Sequence, residues 1–251
     1  MQGFKFSPTH IEDHVEKIGI DIRPIIEHKL EKTKLFAFAN DLIEKHPNIF
    51  GSSVHSPNTF NMRKKFIFPG KGEVDIATLA VSERGPVFIF PRKISVLSEE
   101  TDLGRSEDII SSCLRLFRKY FGHKSIIRVG QVNEYIFNVG QVNSLNLLAE
   151  RFTKINIPSN GELRIRINKP DDDYNKIIQM EPVQKRERSP NIPGAEHIIE
   201  EYGLKVRVDF NNRDMSEPLK EERIRAIIFA SIQFNEHELY DFLNCANGGD
   251  E

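Results

Sequence analysis

His10 and His14 stand four residues apart, with Glu12, Asp13 and Glu16 alongside. On a helix opening at Ser7 and Pro8 that spacing would set both imidazoles on one face, as paired zinc ligands are set. The glutamate does not directly follow the first histidine, as the zinc-protease order requires, and no third ligand is obvious. Solvated surface histidines are therefore expected. The run Asp171, Asp172, Asp173 offers hard oxygen ligands. Divalent sites draw their ligands from several segments or at loop spacing, so a polar turn between two strands accounts for it better. Asp21, Asp75, Asp209 and Glu134 fall in strand patterns whose sidedness is that of a solvent-facing or helix-covered surface. Neither the phosphate-cradling glycine loops nor the G-x-S-x-G elbow of serine hydrolases occurs. No catalytic, cofactor-binding or metal-binding residue is assigned, no cofactor is expected, and an enzyme ranks third among the readings.

The basic residues make a fuller case. Arg63, Lys64 and Lys65 open one strand pattern, Arg92 and Lys93 close another, and Arg164, Arg166 and Lys169 line a third. Lys185, Arg186 and Arg188 sit in a charged, anchor-poor stretch, 184–196, that reads as a mobile loop, a surface insertion before a partner-binding arm. If these cations shared a sheet face with Phe66, Phe68 or Tyr174, single-stranded nucleic acid could track them and stack its bases on the rings. The favoured reading is plainer: a charged outward face that blunts edge pairing.

With 35 basic and 37 acidic residues the formal net charge is -2, so nothing pulls the chain generally toward nucleic acid or anionic lipid. A hydrophobic share of 39% and a charged share of 29% argue against disorder. The two cysteines, Cys113 and Cys245, form no metal-binding cluster, and a reducing compartment fits them. Cys113 lies in an apolar helical stripe and reads as a small buried hydrophobe. No apolar stretch is long enough to cross a bilayer and no leader-like segment opens the chain, so a cytoplasmic protein without membrane contact is expected.

Positioning falls to elements read from periodicity. Ile18, Ile20, Ile22 and Ile26 alternate with charged residues across 15–30, a half-buried strand in which Pro24 implies an edge or a bulge. Leu35, Phe38, Ala39, Leu42 and Ile43 predict a helix over 33–46, ended by Pro47. A loop through Gly51–Asn58 leads to three strands, 63–68, 73–81 and 86–90, close enough to form an antiparallel meander. Ser106, followed by Glu107 and Asp108, opens a second helix. The same order then recurs: a strand over 125–137 with Ile127, Val129, Tyr135 and Phe137 on one face, a helix over 144–152, strands over 163–167, 174–181 and 204–210, and a helix opening at Ser216. Asn235 is expected to cap a short last helix. The pentapeptide Val129–Asn133 recurs as Val139–Asn143, too short a period for a solenoid. Gly130, inside a strand pattern, suggests a bulge or a close backbone approach.

Three pieces carry a resemblance: Arg128–Phe137, the helix end Lys45-His46-Pro47, and Val206-Arg207-Val208-Asp209. In them the chain resembles a sporadically distributed family of uncharacterised bacterial proteins about as long as these 251 residues. That family shows an R-[IV]-G strand with a following asparagine. The resemblance implies an architecture, a bacterial origin and, through its sporadic distribution, a mobile or defence-associated operon; it implies no activity. The expectation is an α+β protein of two similar β-α-β-β-β-α halves, 1–122 and 123–251, with mainly antiparallel sheets packed against helices and a possible internal duplication. The function expected is a non-catalytic protein-binding or accessory subunit. The alternative is a nucleic-acid-binding accessory protein that uses the Arg/Lys strand faces.

Overall fold

A computed structural model of the chain describes residues 4–23, 31–47, 49–55, 59–68, 72–82, 85–91, 106–122, 125–140, 142–153, 155–158, 161–188 and 198–245. In chain order the elements are β1 (Ile11–Arg23), α1 (Lys32–Lys45), β2 (Ser52–His55), β3 (Thr59–Phe68), β4 (Gly72–Ser82), β5 (Gly85–Pro91) and α2 (Ser106–Phe121). Then follow β6 (Ser125–Asn138), α3 (Ser144–Leu148), β7 (Ile165–Asn168), β8 (Tyr174–Arg188), β9 (Ile198–Asn212), α4 (Glu221–Gln233) and α5 (Leu239–Asn244). The strands form one nine-stranded sheet in the order β2-β3-β4-β5-β1-β6-β9-β8-β7, and every pairing is antiparallel. Outward from the central β1–β6 pair, β1 is flanked by β5 and β6 by β9, but three further strands follow on one side and two on the other; β2 makes the first half β-α-β-β-β-β-α and breaks the expected match with the second.

One face of this sheet is buried. Ile18 and Ile20 of β1, Phe88 of β5, Val129, Tyr135 and Phe137 of β6, and Leu204, Val206, Val208 and Phe210 of β9 lie within one hydrophobic cluster. Alternation of side chains along each strand makes these residues a single surface. α1 adds Leu35, Phe38 and Leu42, α2 adds Cys113 and Phe117, and α4 adds Ile224, Ile227 and Ile228. The ring of Phe38 meets Phe117 and Phe121 edge-on at 6.2 and 6.0 Å, which ties α1 to α2. None of the described helices is long and apolar enough to cross a membrane.

Several expectations need correction. The stretch after Gly51 holds a strand, β2, paired with β3 over Ser52↔Arg63 to His55↔Phe60. The expected loop over 184–196 is strand as far as Arg188, because β8 continues against β9 from Gln184↔Tyr202 to Arg188↔Ile198. Residues 189–197 lie outside the described residues, as do Pro24 and Ile26. A register shift opposite Asp21 and Ile22 puts Ile126, not Ile127, in the core. Ser216 does not open α4; its backbone N–H donates to Asp214 Oδ1 at 2.8 Å in a turn, and the helix begins after Lys220. Asn235 caps nothing. It sits in a π-helical turn, Phe234–Glu238, that joins α4 to α5 without a break.

Candidate interaction face

On the sheet face opposite the helices, the register lines up residues of β7, β8, β9, β6, β1, β5 and β4 in rows. One row runs Arg166, Gln179, Arg207, Glu134, Val15, Pro91; the next runs Ile177, Asp209, Val132, Lys17, Ile89, Thr78; a third runs Asn175, Asn211, Gly130, Gly19, Val87, Ala80. Among the described residues no helix packs on this face.

Its charges interlock. Lys17 Nζ lies 3.1 Å from Glu134 Oε1, and the same carboxylate has Lys205 Nζ and Arg207 Nη1 each at 3.8 Å. Lys205 reaches on to Glu181 at 3.6 Å, and Arg164 holds Glu181 at 2.8 Å. A ladder of alternating sign thus crosses the sheet from the entry of β7 to β1. Burial alone would raise the Glu134 carboxyl, but the hydrogen bond and charge of Lys17, with Lys205 and Arg207 behind it, hold it below the usual carboxylate range. Arg128 adds a looser pair to Asp21 at 3.5 Å.

At the centre of the face Gly19 and Gly130 stand directly opposite one another. Around them the chain repeats a short pattern, Lys17-Ile18-Gly19 on β1 and Arg128-Val129-Gly130 on β6. Neither glycine has a positive φ. A Cβ on Gly130 would meet Asn211 Cβ at 3.4 Å, whereas one on Gly19 would meet none of the described residues within 4 Å. Interior strand glycines cost about 0.5–1 kcal/mol relative to alanine. No packing or conformational need within the described residues accounts for Gly19.

The expected basic set does not converge on this face. Arg164 and Arg166 are exposed on it, and Arg63 of β3 stands opposite Thr78. Lys64 points the other way and donates to the carbonyl of Pro47, while the Lys169 ammonium lies over the Phe242 ring at 5.4 Å on the helix side. Lys65, Lys185, Arg186 and Arg188 have described backbones only, and Arg92 and Lys93 lie outside the described residues. Tyr174 does not share the face of Arg164 and Arg166, because its ring packs on Phe210 at 4.9 Å against the core. The side chains of Phe66 and Phe68 are likewise outside what is described.

Periodicity concealed a second set of residues on the buried face. Glu16, Gln131 and Asn133 share the phase of Ile18 and Tyr135, so they enter the core beside the β1–β6 seam. Gln131 Nε2 donates to Glu16, and burial, opposed by that hydrogen bond, pushes the Glu16 carboxyl up to about 7. The parity of Glu16 with Ile18 and Ile20 was the signal that could have found it. His14 belongs to the same cluster. It lies on β1, its ring stacks on Tyr135 at 4.3 Å, and Nε2 is 2.8 Å from Asn133 Oδ1. His10 ends a 3₁₀ turn, Pro8–His10, with Nδ1 2.9 Å from Ser7 Oγ, so the two imidazoles never share a helix face. Among the described residues no group of three or more His, Cys, Asp or Glu is placed to hold a metal.

The run Asp171–Asp173 forms the expected turn between β7 and β8, with Asp171 Oδ1 accepting from the backbone of Asp173 and Tyr174 at 3.0 and 2.7 Å. Asp172 and Asp173 also border a pocket with Asp214, Lys220 and Arg223, in which Arg223 pairs with Asp173 at 2.6 Å. No family model, curated protein or solved structure matches the chain.

Proposed function

We propose that the protein is a non-catalytic accessory subunit that docks a protein partner on the open face of its sheet. The observation that carries this reading is Gly19. It is a strand-interior glycine at the centre of a face that no described helix covers, and among the described residues nothing lies within 4 Å of where its Cβ would stand. Such a position is explained by something outside the chain that approaches the backbone closely. The resemblance noted above would place this subunit in a bacterial cytoplasmic system, in the setting of a mobile or defence-associated operon. The paired Lys-Ile-Gly and Arg-Val-Gly patterns, together with the flanking of β1 by β5 and of β6 by β9, support an ancestral duplication of one half.

Binding of single-stranded nucleic acid is the second reading, favoured by the cations Arg164, Arg166, Lys205 and Arg207 on one face. One observation weighs against it: among the described side chains of the rows above there is no aromatic ring on which a base could stack.

The test compares the tagged wild type with Gly19→Val in affinity purification from the host, with and without nuclease. Expected is a stoichiometric protein that survives nuclease with the wild type and is lost with the variant, while the thermal midpoint of the variant is unchanged or higher. Retention of the partner by Gly19→Val, or its loss on nuclease treatment, would overturn the reading.

A further inference from the structure

Resting on the docking reading above, we propose that the partner contacts this face with an acidic segment, whose carboxylates replace Glu134 and Glu181 as the counterions of Lys17, Lys205, Arg207 and Arg164. Among the described residues the four cations pair only with those two carboxylates; with Arg166 and Asp209, which stand in the same rows, this part of the face carries five cations against three carboxylates. A surface of that kind is complementary to an acidic one, and the complementarity sets specificity and the rate of encounter more than raw affinity.

The internal pairs are suited to exchange. Lys205 and Arg207 approach Glu134 only to 3.8 Å, and the side chains of Lys17, Lys205 and Arg207 keep 39%, 36% and 46% of their surface exposed. Exposed pairs of this sort are weak and screened by salt, so an incoming carboxylate meets little resistance. Geometry adds a spacing. The Lys17 ammonium and the Arg207 guanidinium meet the same oxygen of Glu134, at 3.1 and 3.8 Å, so no more than about 7 Å separates the two charges, close to one turn of a helix. Acidic side chains one turn apart would reach both cations over the position that Glu134 now holds.

In this arrangement Glu134 is a built-in competitor, and that separates the proposal from general attraction to positive charge. The experiment titrates the full chain into a fluorescein-labelled twelve-residue oligoglutamate, an oligolysine and a single-stranded oligonucleotide of the same length, and reads anisotropy at low and moderate salt. Expected are binding of oligoglutamate alone among the peptides, severalfold tightening in Glu134→Gln, and at least tenfold weakening in Arg207→Glu. Glu222→Gln, which removes the same charge from the exposed side of α4, should leave affinity unchanged. Thermal melting of each variant confirms that it folds.

Oligoglutamate that fails to bind, or binds equally to Glu134→Gln, Glu222→Gln and Arg207→Glu, overturns the acidic partner. If a nuclease-resistant partner is still captured and still lost in Gly19→Val, the docking reading survives that failure. Preference for the oligonucleotide with the same dependence on Glu134 and Arg207 overturns both.

Discussion

Phe6 and Asn244, 238 positions apart, exchange two hydrogen bonds: the Phe6 backbone N–H donates to Asn244 Oδ1 at 2.7 Å, and Asn244 Nδ2 donates to the Phe6 carbonyl at 2.9 Å. The asparagine side chain thereby completes the backbone of an entry segment that none of the described strands pairs with. Arg151 reinforces the clasp by donating to the carbonyls of Leu243, at 2.6 Å, and Phe4. Phe6 itself is buried and meets the ring of Phe137 edge-on at 5.3 Å.

Asn244→Ala removes both bonds and leaves two backbone groups of Phe6 to find water. At about 0.5–1.5 kcal/mol per net hydrogen bond, the loss should be about 1–3 kcal/mol. Chemical denaturation would measure it, and an unchanged midpoint would mean that the entry segment contributes nothing to the fold.

Cys113 and Cys245 should differ sharply toward a thiol reagent. Cys113 has no exposed surface and burial drives its thiol far above the ordinary range, whereas Cys245 is exposed just beyond α5. The thiolate is the reactive species. Ellman's reagent should therefore modify one thiol in the native protein at neutral pH and two in denaturant. Two native reactive thiols would contradict the packing of α2 against the sheet.

The repeated pentapeptide shows what could be read from the sequence and what could not. Val129–Asn133 lies in β6, where alternate positions enter the core. In the second copy, Val139 is buried, Gly140 takes a φ of 64°, and Asn143 caps α3, accepting from the N–H groups of Leu145 and Asn146 at 2.9 and 3.1 Å. One sequence thus forms a strand and a turn, and tertiary context decides between them. Asn143→Ala should cost about 1 kcal/mol, the usual worth of such a cap. A thermal shift within error would show that the π-helical turn Ala149–Thr153, which follows α3, holds the helix without it.

Elements with one buried face were legible because a buried face enforces a period. α1 and the three strands of the meander lie close to where Leu35, Phe38 and Leu42, and the alternations of β3 to β5, put them. The reading failed where backbone pairing holds a segment without apolar anchors. Residues Gln184–Arg188 looked like loop, yet their partners on β9 continue the ladder. It failed again at Glu16, Gln131 and Asn133, polar residues in core phase, because a pattern of apolar positions treats them as interruptions. Which basic residues share a face depends on register, and register between strands far apart in sequence is not written in either strand alone.

Glu16 gives the fold a pH dependence of unusual sign for a carboxylate. Its folded value of about 7 lies above the ordinary 4.5, so the folded chain holds this proton more tightly than the unfolded chain. The stabilisation is therefore complete below about pH 4.5 and is lost progressively as pH rises to about 7, after which it stays lost. Each tenfold gain in proton affinity is worth about 1.4 kcal/mol, which makes the whole effect on the order of 3 kcal/mol, with solvent access to the partly exposed side chain lowering it. Glu16→Gln keeps a neutral side chain that can meet Gln131 at every pH. Its stability should be flat over the same window and should exceed that of the wild type at pH 8. Equilibrium denaturation of both proteins between about pH 5 and pH 8 decides the matter: parallel curves would mean that Glu16 is ionised in the folded chain throughout, and that the seam between β1 and β6 is wetter than its packing shows.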